Sequence, residues 1–296
     1  MPAIEGVYTV MVTPFKRNGD VDYEGLKKNV EWQISRGIHG LLPLGSTGEF
    51  AGMEDDEKKQ VAELVVQTAN GRVPVAVGTT AETTEKTIAL TRHAKEIGAV
   101  GVMILPPYYC KPSQEEMYTH FARIADAVDI PVIIYNNPWS SGVDMQAETV
   151  ARLAEYSPNL RYVKECTADI KRLRDIRVLC GDKVTLFCGW EDLAYESFVM
   201  GARGWVSVIA NIAPGMAMEL YDLVAQKRDL DRGWELYRVM LPMLKQLEYS
   251  GKLHQTLKYS MDRMGLCGGI TRSPKLPLTE ADMTKIDGML ASMGLV

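Results

Sequence analysis

The sequence predicts a (β/α)8 TIM barrel with a C-terminal helical extension. Short apolar runs alternate with amphipathic helical stretches eight times before residue 227. The repeat is about 25–30 residues, as expected for successive βα units. The runs are apolar on both faces, as strands of a parallel sheet covered by helices must be. The competing architecture, an open doubly wound sheet, lacks its signature, because no G-x-G-x-x-G follows any run. In a barrel of this kind, function is expected at the C-terminal ends of the strands.

Residues 7–12 form the first expected strand, closed by Thr13-Pro14-Phe15. A helix over 22–36 stops at Gly37, and 38–44 is the second strand. A charged helix over 53–70 ends at Gly71; strand three is 73–77, and its helix, 82–97, stops at Gly98. The remaining pairs are 100–105 with 113–128, 131–135 with 145–156, 160–164 with 169–179, 184–188 with 191–200, and 204–208 with 214–226. After that only helical patterns remain, over 230–247, 253–264 and 279–293. Length alone suggests about two domains, but barrels reach this size as one. With no linker in view, the expectation is a barrel over 1–226 and an extension over 227–296 packed on it as one domain.

Composition narrows the function classes. The chain has 296 residues, 46% hydrophobic and 24% charged, with a net charge of -5. No basic stripe favours nucleic acid, and no apolar run approaches the roughly 20 residues of a membrane span. The start, Met1 to Gly6, lacks the basic and apolar regions of a signal peptide, so the cytoplasm is the default location. The five cysteines are odd in number and none makes a C-x-x-C pair. The four histidines are scattered, so neither a metal nor any other cofactor is expected.

The strand ends carry the chemistry. Strand six runs Leu160-Arg161-Tyr162-Val163-Lys164-Glu165, and alternation puts Tyr162 and Lys164 on one face. A lysine at a strand end can be a solvated charge or a desolvated nucleophile. Imine chemistry needs the free amine, which at an ordinary lysine pKa of about 10.4 is only about 0.04% of the population at pH 7. Strand five ends in Tyr135-Asn136-Asn137-Pro138, with Tyr135 at the parity of Ile133 and so facing inward. A phenol next to a reactive amine can shuttle protons. Strand two runs into Gly45-Ser46-Thr47-Gly48, a tight turn whose N–H groups and hydroxyls can hold a carboxylate or phosphate. Strand four ends in a proline-flanked Tyr108-Tyr109 pair. Strand seven ends in Cys188-Gly189-Trp190-Glu191-Asp192, which puts an aromatic and two carboxylates at the same rim; the alternative is that the carboxylates only cap the next helix.

In this order, GSTGEF, PPYYCKPSQEE, YNNP, YVKE and CGWED…GARGWVSVIAN, the chain resembles the dihydrodipicolinate synthase / N-acetylneuraminate lyase superfamily. The resemblance is collinear over nearly the whole chain. It implies a class I lyase, a (β/α)8 barrel that forms a Schiff base with pyruvate or another small 2-oxo acid, often as a homodimer or homotetramer. By that resemblance Lys164 is the Schiff-base lysine, and Ser46 and Thr47 hold the substrate carboxylate. Tyr135 and Ser46 form a proton relay completed by Tyr109 from a neighbouring subunit. Gly45, Ser140, Gly189 and Ile209 fall at further substrate-binding positions.

The departures concern the second substrate. True synthases carry an arginine two residues after the strand-five proline, where this chain has Ser140. Losing one charge-assisted bond costs roughly 1.5–3 kcal/mol. Asp55, Lys58, Glu82 and Lys86 also do not reproduce the feedback-lysine site of some synthases. The sequence therefore favours a Schiff-base aldolase, dehydratase or deaminase acting on a small 2-oxo acid. The runner-up is an authentic 4-hydroxy-tetrahydrodipicolinate synthase joining pyruvate to aspartate semialdehyde, and the rival of another class is a non-catalytic 2-oxo acid sensor.

Overall fold

The computed structural model describes residues 4–296. Residues 1–3, part of the stretch read against a signal peptide, lie outside it. Eight parallel strands alternate with helices: β1 (Gly6–Val10), α1 (Tyr23–Ser35), β2 (Gly40–Leu42), α2 (Asp55–Ala69), β3 (Ala76–Gly78), α3 (Thr84–Glu96), β4 (Gly101–Ile104) and α4 (Gln114–Ala127). They continue as β5 (Val132–Asn136), α5 (Pro138–Ser141), α6 (Ala147–Tyr156), β6 (Tyr162–Glu165), α7 (Ile170–Cys180), β7 (Thr185–Cys188), α8 (Ala194–Val199), β8 (Gly204–Ser207) and α9 (Pro214–Tyr221). α10 (Leu230–Tyr249), α11 (Leu253–Arg263) and α12 (Glu280–Ser292) follow. Among the described residues no helix is long and apolar enough to cross a membrane.

The sheet order is β2-β1-β8-β7-β6-β5-β4-β3. Its two ends meet through a parallel bridge between Leu41 and Val75 and a hydrogen bond from the Gly78 N–H to the Pro43 carbonyl at 2.9 Å, so the sheet closes into the expected TIM barrel. Closing a small barrel requires its interior to be filled by side chains. Tyr8 and Phe187 meet edge to face there, with ring centres 6.1 Å apart. Each large ring stands in register with a glycine, Tyr8 beside Gly40 and Phe187 beside Gly204. A Cβ on Gly40 would lie 2.3 Å from the Tyr8 ring, and one on Gly204 2.2 Å from the Phe187 ring. Large side chains on one strand are thus accommodated by their absence on the next.

The expected strands are present, seven of the eight shorter than their apolar runs and the fifth shifted by one residue. Leu160, for example, belongs to a 3-10 turn, Pro158–Leu160, and β6 starts at Tyr162. The short helix α5 was not anticipated. Its start is set by Asn137, whose side chain accepts the Ser140 N–H, and by Pro138 at the first helical position.

Candidate active site

β5 and β6 lie side by side, and their parallel register sets Tyr135 opposite Lys164. Both side chains are 4% exposed. The Lys164 Nζ lies 4.0 Å from the centre of the Tyr135 ring. Its charge is felt by the buried Glu191 and Glu248 carboxyls and the Cys166 thiol. Gly189 follows β7, and its missing side chain makes room for the lysine: a Cβ there would sit 2.9 Å from Lys164 Cγ and 2.6 Å from the Glu165 carbonyl oxygen.

The Tyr135 hydroxyl accepts a hydrogen bond from Asn137 Nδ2 at 2.7 Å and faces the Cys166 thiol at 4.0 Å. Burial pushes its pKa well above the ordinary phenol value, against the contacts with Asn137 and Ser46, which lower it. The phenol therefore keeps its proton, which suits a group that passes protons on. Asn137 was missed by sequence reasoning. One end of its amide caps α5 and the other orients the phenol, and the Asn-Pro pair before a short helical stretch was the available signal.

The turn after β2 is built by close packing. Ser46–Gly48 forms one 3-10 turn. Leu44 before it and Glu49 after it are both left-handed, with φ of 64° and 58°. Such residues each cost of order 1–3 kcal/mol and persist where the surroundings over-determine them. Here a Cβ on Gly78 would fall 2.0 Å from the Leu44 carbonyl oxygen, and one on Gly45 2.4 Å from Val10 Cγ2. Thr47 is buried and Ser46 half-buried. His254, from α11, meets the Ser46 carbonyl through Nε2 at 2.9 Å. A cavity of about 240 Å³ opens between Ser46, Tyr108, Ser140 and His254.

The remaining rim residues divide. The Tyr108 and Tyr109 N–H groups donate to the Glu82 carboxylate at 3.3 and 3.1 Å, which holds their loop in place. Tyr108 packs edge-on against Phe50, whereas Tyr109 is 88% exposed and does not join Ser46 and Tyr135 within one chain. Ser140 is exposed, and the stem of Lys111 crosses to its loop, with Cε 3.1 Å from where a Gly142 Cβ would stand. Trp190 is buried between Trp139 and Tyr249, with ring centres 6.0 and 6.1 Å away.

Of the two uses open to Glu191 and Asp192, capping the next helix is not the one observed. Glu191 is fully buried and accepts from the N–H groups of Val208 at 2.7 Å and Ile209 at 2.9 Å, and from Trp205 Nε1 at 3.2 Å. It thus ties the ends of β7 and β8 together and holds the backbone at Ile209. Burial, then the neighbouring Glu248, pushes its carboxyl up to about 8.

A buried amine thus faces a buried phenol beside the hydroxyl-bearing turn at the barrel mouth. The chain belongs to the dihydrodipicolinate synthetase family, whose profile matches residues 3–293, and is an enzyme of the class I lyase type. It is 39% identical over 292 residues to a 4-hydroxy-tetrahydrodipicolinate synthase from Pelobacter propionicus, covering 99% of each chain. It is 37% identical over 293 residues to one from Bartonella bacilliformis, again covering 99% of each. Among solved structures it resembles the chloride-inhibited dihydrodipicolinate synthase of Acinetobacter baumannii, complexed with pyruvate, at TM-score 0.94 and 34% identity, covering 99% of this chain and 100% of that one. The dihydrodipicolinate synthase of Aquifex aeolicus matches at TM-score 0.93 and 32% identity, covering 99% of both.

Proposed function

We propose that the protein is a pyruvate-dependent synthase that carries pyruvate as an imine on Lys164 and condenses it with aspartate semialdehyde, the runner-up of the sequence reading. The observation that carries the imine chemistry is the Lys164 Nζ 4.0 Å from the Tyr135 ring, both buried at adjacent strand ends. The choice of this reaction over the broader lyase reading rests on relatives of that name matched end to end.

Ser46 and Thr47 hold the pyruvate carboxylate. The neutral Lys164 amine attacks the ketone carbon, and the carbonyl oxygen leaves as water after two proton transfers. The protonated imine draws electrons from the methyl carbon, which loses a proton and attacks the aldehyde. Tyr135 moves these protons, relayed through Ser46 and Tyr109 of the partner subunit. The exposure of Tyr109 supports a paired assembly, although one related synthase variant is described as monomeric.

One observation favours a second reading, a lyase of the same class with another acceptor. Ser140 cannot give a charged, bidentate grip on a second carboxylate, and Trp139 beside it is 74% exposed. Two measurements test the reading. Incubation with pyruvate and borohydride, followed by peptide mass analysis, should find the label on Lys164; an unlabelled Lys164 in protein that binds pyruvate ends the mechanism. Coupling to a reductase with aspartate semialdehyde then measures kcat/KM. A value at least about tenfold below that of a relative carrying the arginine, raised by Ser140→Arg, supports the second reading. Synthase-like efficiency in the unmodified protein supports the first. Added L-lysine should not inhibit, since Asp55 is already paired with Lys86 at 2.8 Å and Lys58 at 3.4 Å.

A further inference from the structure

We propose that the C-terminal helical segment sets the affinity of the site for the 2-oxo acid, through His254 and a Lys258–Glu49–Lys275 cluster built on the buried Lys258–Glu49 pair. The inference rests on the reading of Ser46 and Thr47 as the carboxylate holders. The turn Ser46–Gly48 contains no cation of its own. What shapes and charges it comes from more than 200 residues further along the chain.

His254 acts on geometry. The Ser46 carbonyl accepts twice, from the Glu49 N–H at 3.0 Å and from His254 Nε2 at 2.9 Å. A carbonyl oxygen can only accept, so His254 carries its proton on Nε2. Burial lowers the imidazole pKa, which keeps the ring neutral and leaves it a single donor aimed at the turn. That donor fixes the plane of the Ser46 peptide and with it the Thr47 N–H.

The cluster acts on both geometry and field. Glu49 is the left-handed residue that ends the turn, and its carboxylate is buried. It pairs with Lys258 Nζ at 2.7 Å and Lys275 Nζ at 3.3 Å. Lys258 is anchored in turn by the Ile270 carbonyl at 2.6 Å and the face of Phe15 at 4.3 Å. Glu49 faces two ammonium groups, while the adjacent Arg272 guanidinium is paired with Glu57, so Lys275 is a surplus cation behind a turn that must hold an anion, partly screened at its half-exposed position. These residues do not touch the substrate; they position and polarise the groups that do.

The test is the division between pyruvate KM and kcat. His254→Leu removes the donor, His254→Gln restores an N–H, and Lys275→Met removes the surplus charge from a half-exposed position. His254→Leu should raise the pyruvate KM about tenfold and leave kcat within about threefold, the pattern of lost ground-state binding. His254→Gln should recover most of the loss, and Lys275→Met should raise KM several-fold, an effect that shrinks in high salt. Should His254→Leu fail to fold, Lys275→Met and the charge-neutral double variant Glu49→Gln/Lys258→Met decide. An unchanged pyruvate KM in folded variants overturns the inference while borohydride still labels wild-type Lys164. A wild type that is not labelled by pyruvate removes the underlying reading and this inference with it.

Discussion

Two lysines are buried in this molecule, and they are buried differently. Lys164 at the end of β6 and Lys258 in α11 are 4% and 2% exposed, and each ammonium lies close to 4 Å from an aromatic ring, Tyr135 or Phe15. Lys258 has a carboxylate at 2.7 Å and a carbonyl at 2.6 Å. Burial pushes its pKa down to about 8, and Glu49 keeps it from falling further. Among the described residues no carboxylate stands within ion-pair distance of Lys164. Burial alone therefore does not mark a chemical lysine. A buried amine with its partners satisfied holds structure; the proposed mechanism gives the reaction to the one left facing a phenol and the Ser46–Gly48 turn.

The largest test of that contrast exchanges each lysine for methionine. Lys164→Met should abolish turnover and borohydride labelling with pyruvate, and leave the thermal midpoint nearly unchanged, since no ion pair is broken. Lys258→Met should leave the buried Glu49 with only the half-exposed Lys275 at 3.3 Å as counter-charge and lower stability by up to about 3–5 kcal/mol, the cost of breaking a buried pair, while Lys164 can still be labelled. Denaturant unfolding and labelling together decide; equal stability losses in the two variants would dissolve the distinction.

Tyr135→Phe sharpens the same contrast on the ring side. It keeps the aromatic face under Lys164 and removes only the hydroxyl. Turnover should fall by about 10²–10⁴, the usual size of a lost acid–base group, with the fold retained by circular dichroism. A loss below about threefold would remove the phenol from the proton path.

The smallest expected effect concerns Glu191, a buried carboxyl with three donors and a like-charged neighbour. Its folded pKa of about 8 lies above the unfolded value, as does that of Glu248 at about 7. The folded state therefore binds more protons through this window. The stabilisation is full below about pH 4.5 and is lost as pH rises through about 7–8. Melting midpoints between pH 5 and 8.5 should decline in the wild type and decline less in Glu191→Gln. Equal slopes would assign the pH dependence elsewhere.

The resemblance to the family, the barrel class and the lyase chemistry were legible in the linear chain. Eight apolar runs at one spacing leave few ways to bury both faces of every strand, and the alternation of β6 already paired Lys164 with the parity of Tyr162. Strand ends were legible only approximately, because an apolar run does not say where pairing stops, as Leu160 shows. The helix-capping alternative for Glu191 failed for a related reason. A carboxylate ahead of a helix is the local signal for a cap, but β8 brings the Val208 and Ile209 N–H groups and the Trp205 indole closer still.

What only the tertiary structure decided is which polar groups meet across long separations. Lys258 and His254 sit in an amphipathic helical pattern that gives no hint of a partner near residue 49 or 46. Asn137 becomes an orienting group only once α5 starts at Pro138 and the Tyr135 hydroxyl falls 2.7 Å from its amide. The physical reason is one of range. Periodicity reports which face of an element is buried, through neighbours two to four residues away. The partner of a buried charge is chosen by packing between elements, and no local pattern records it.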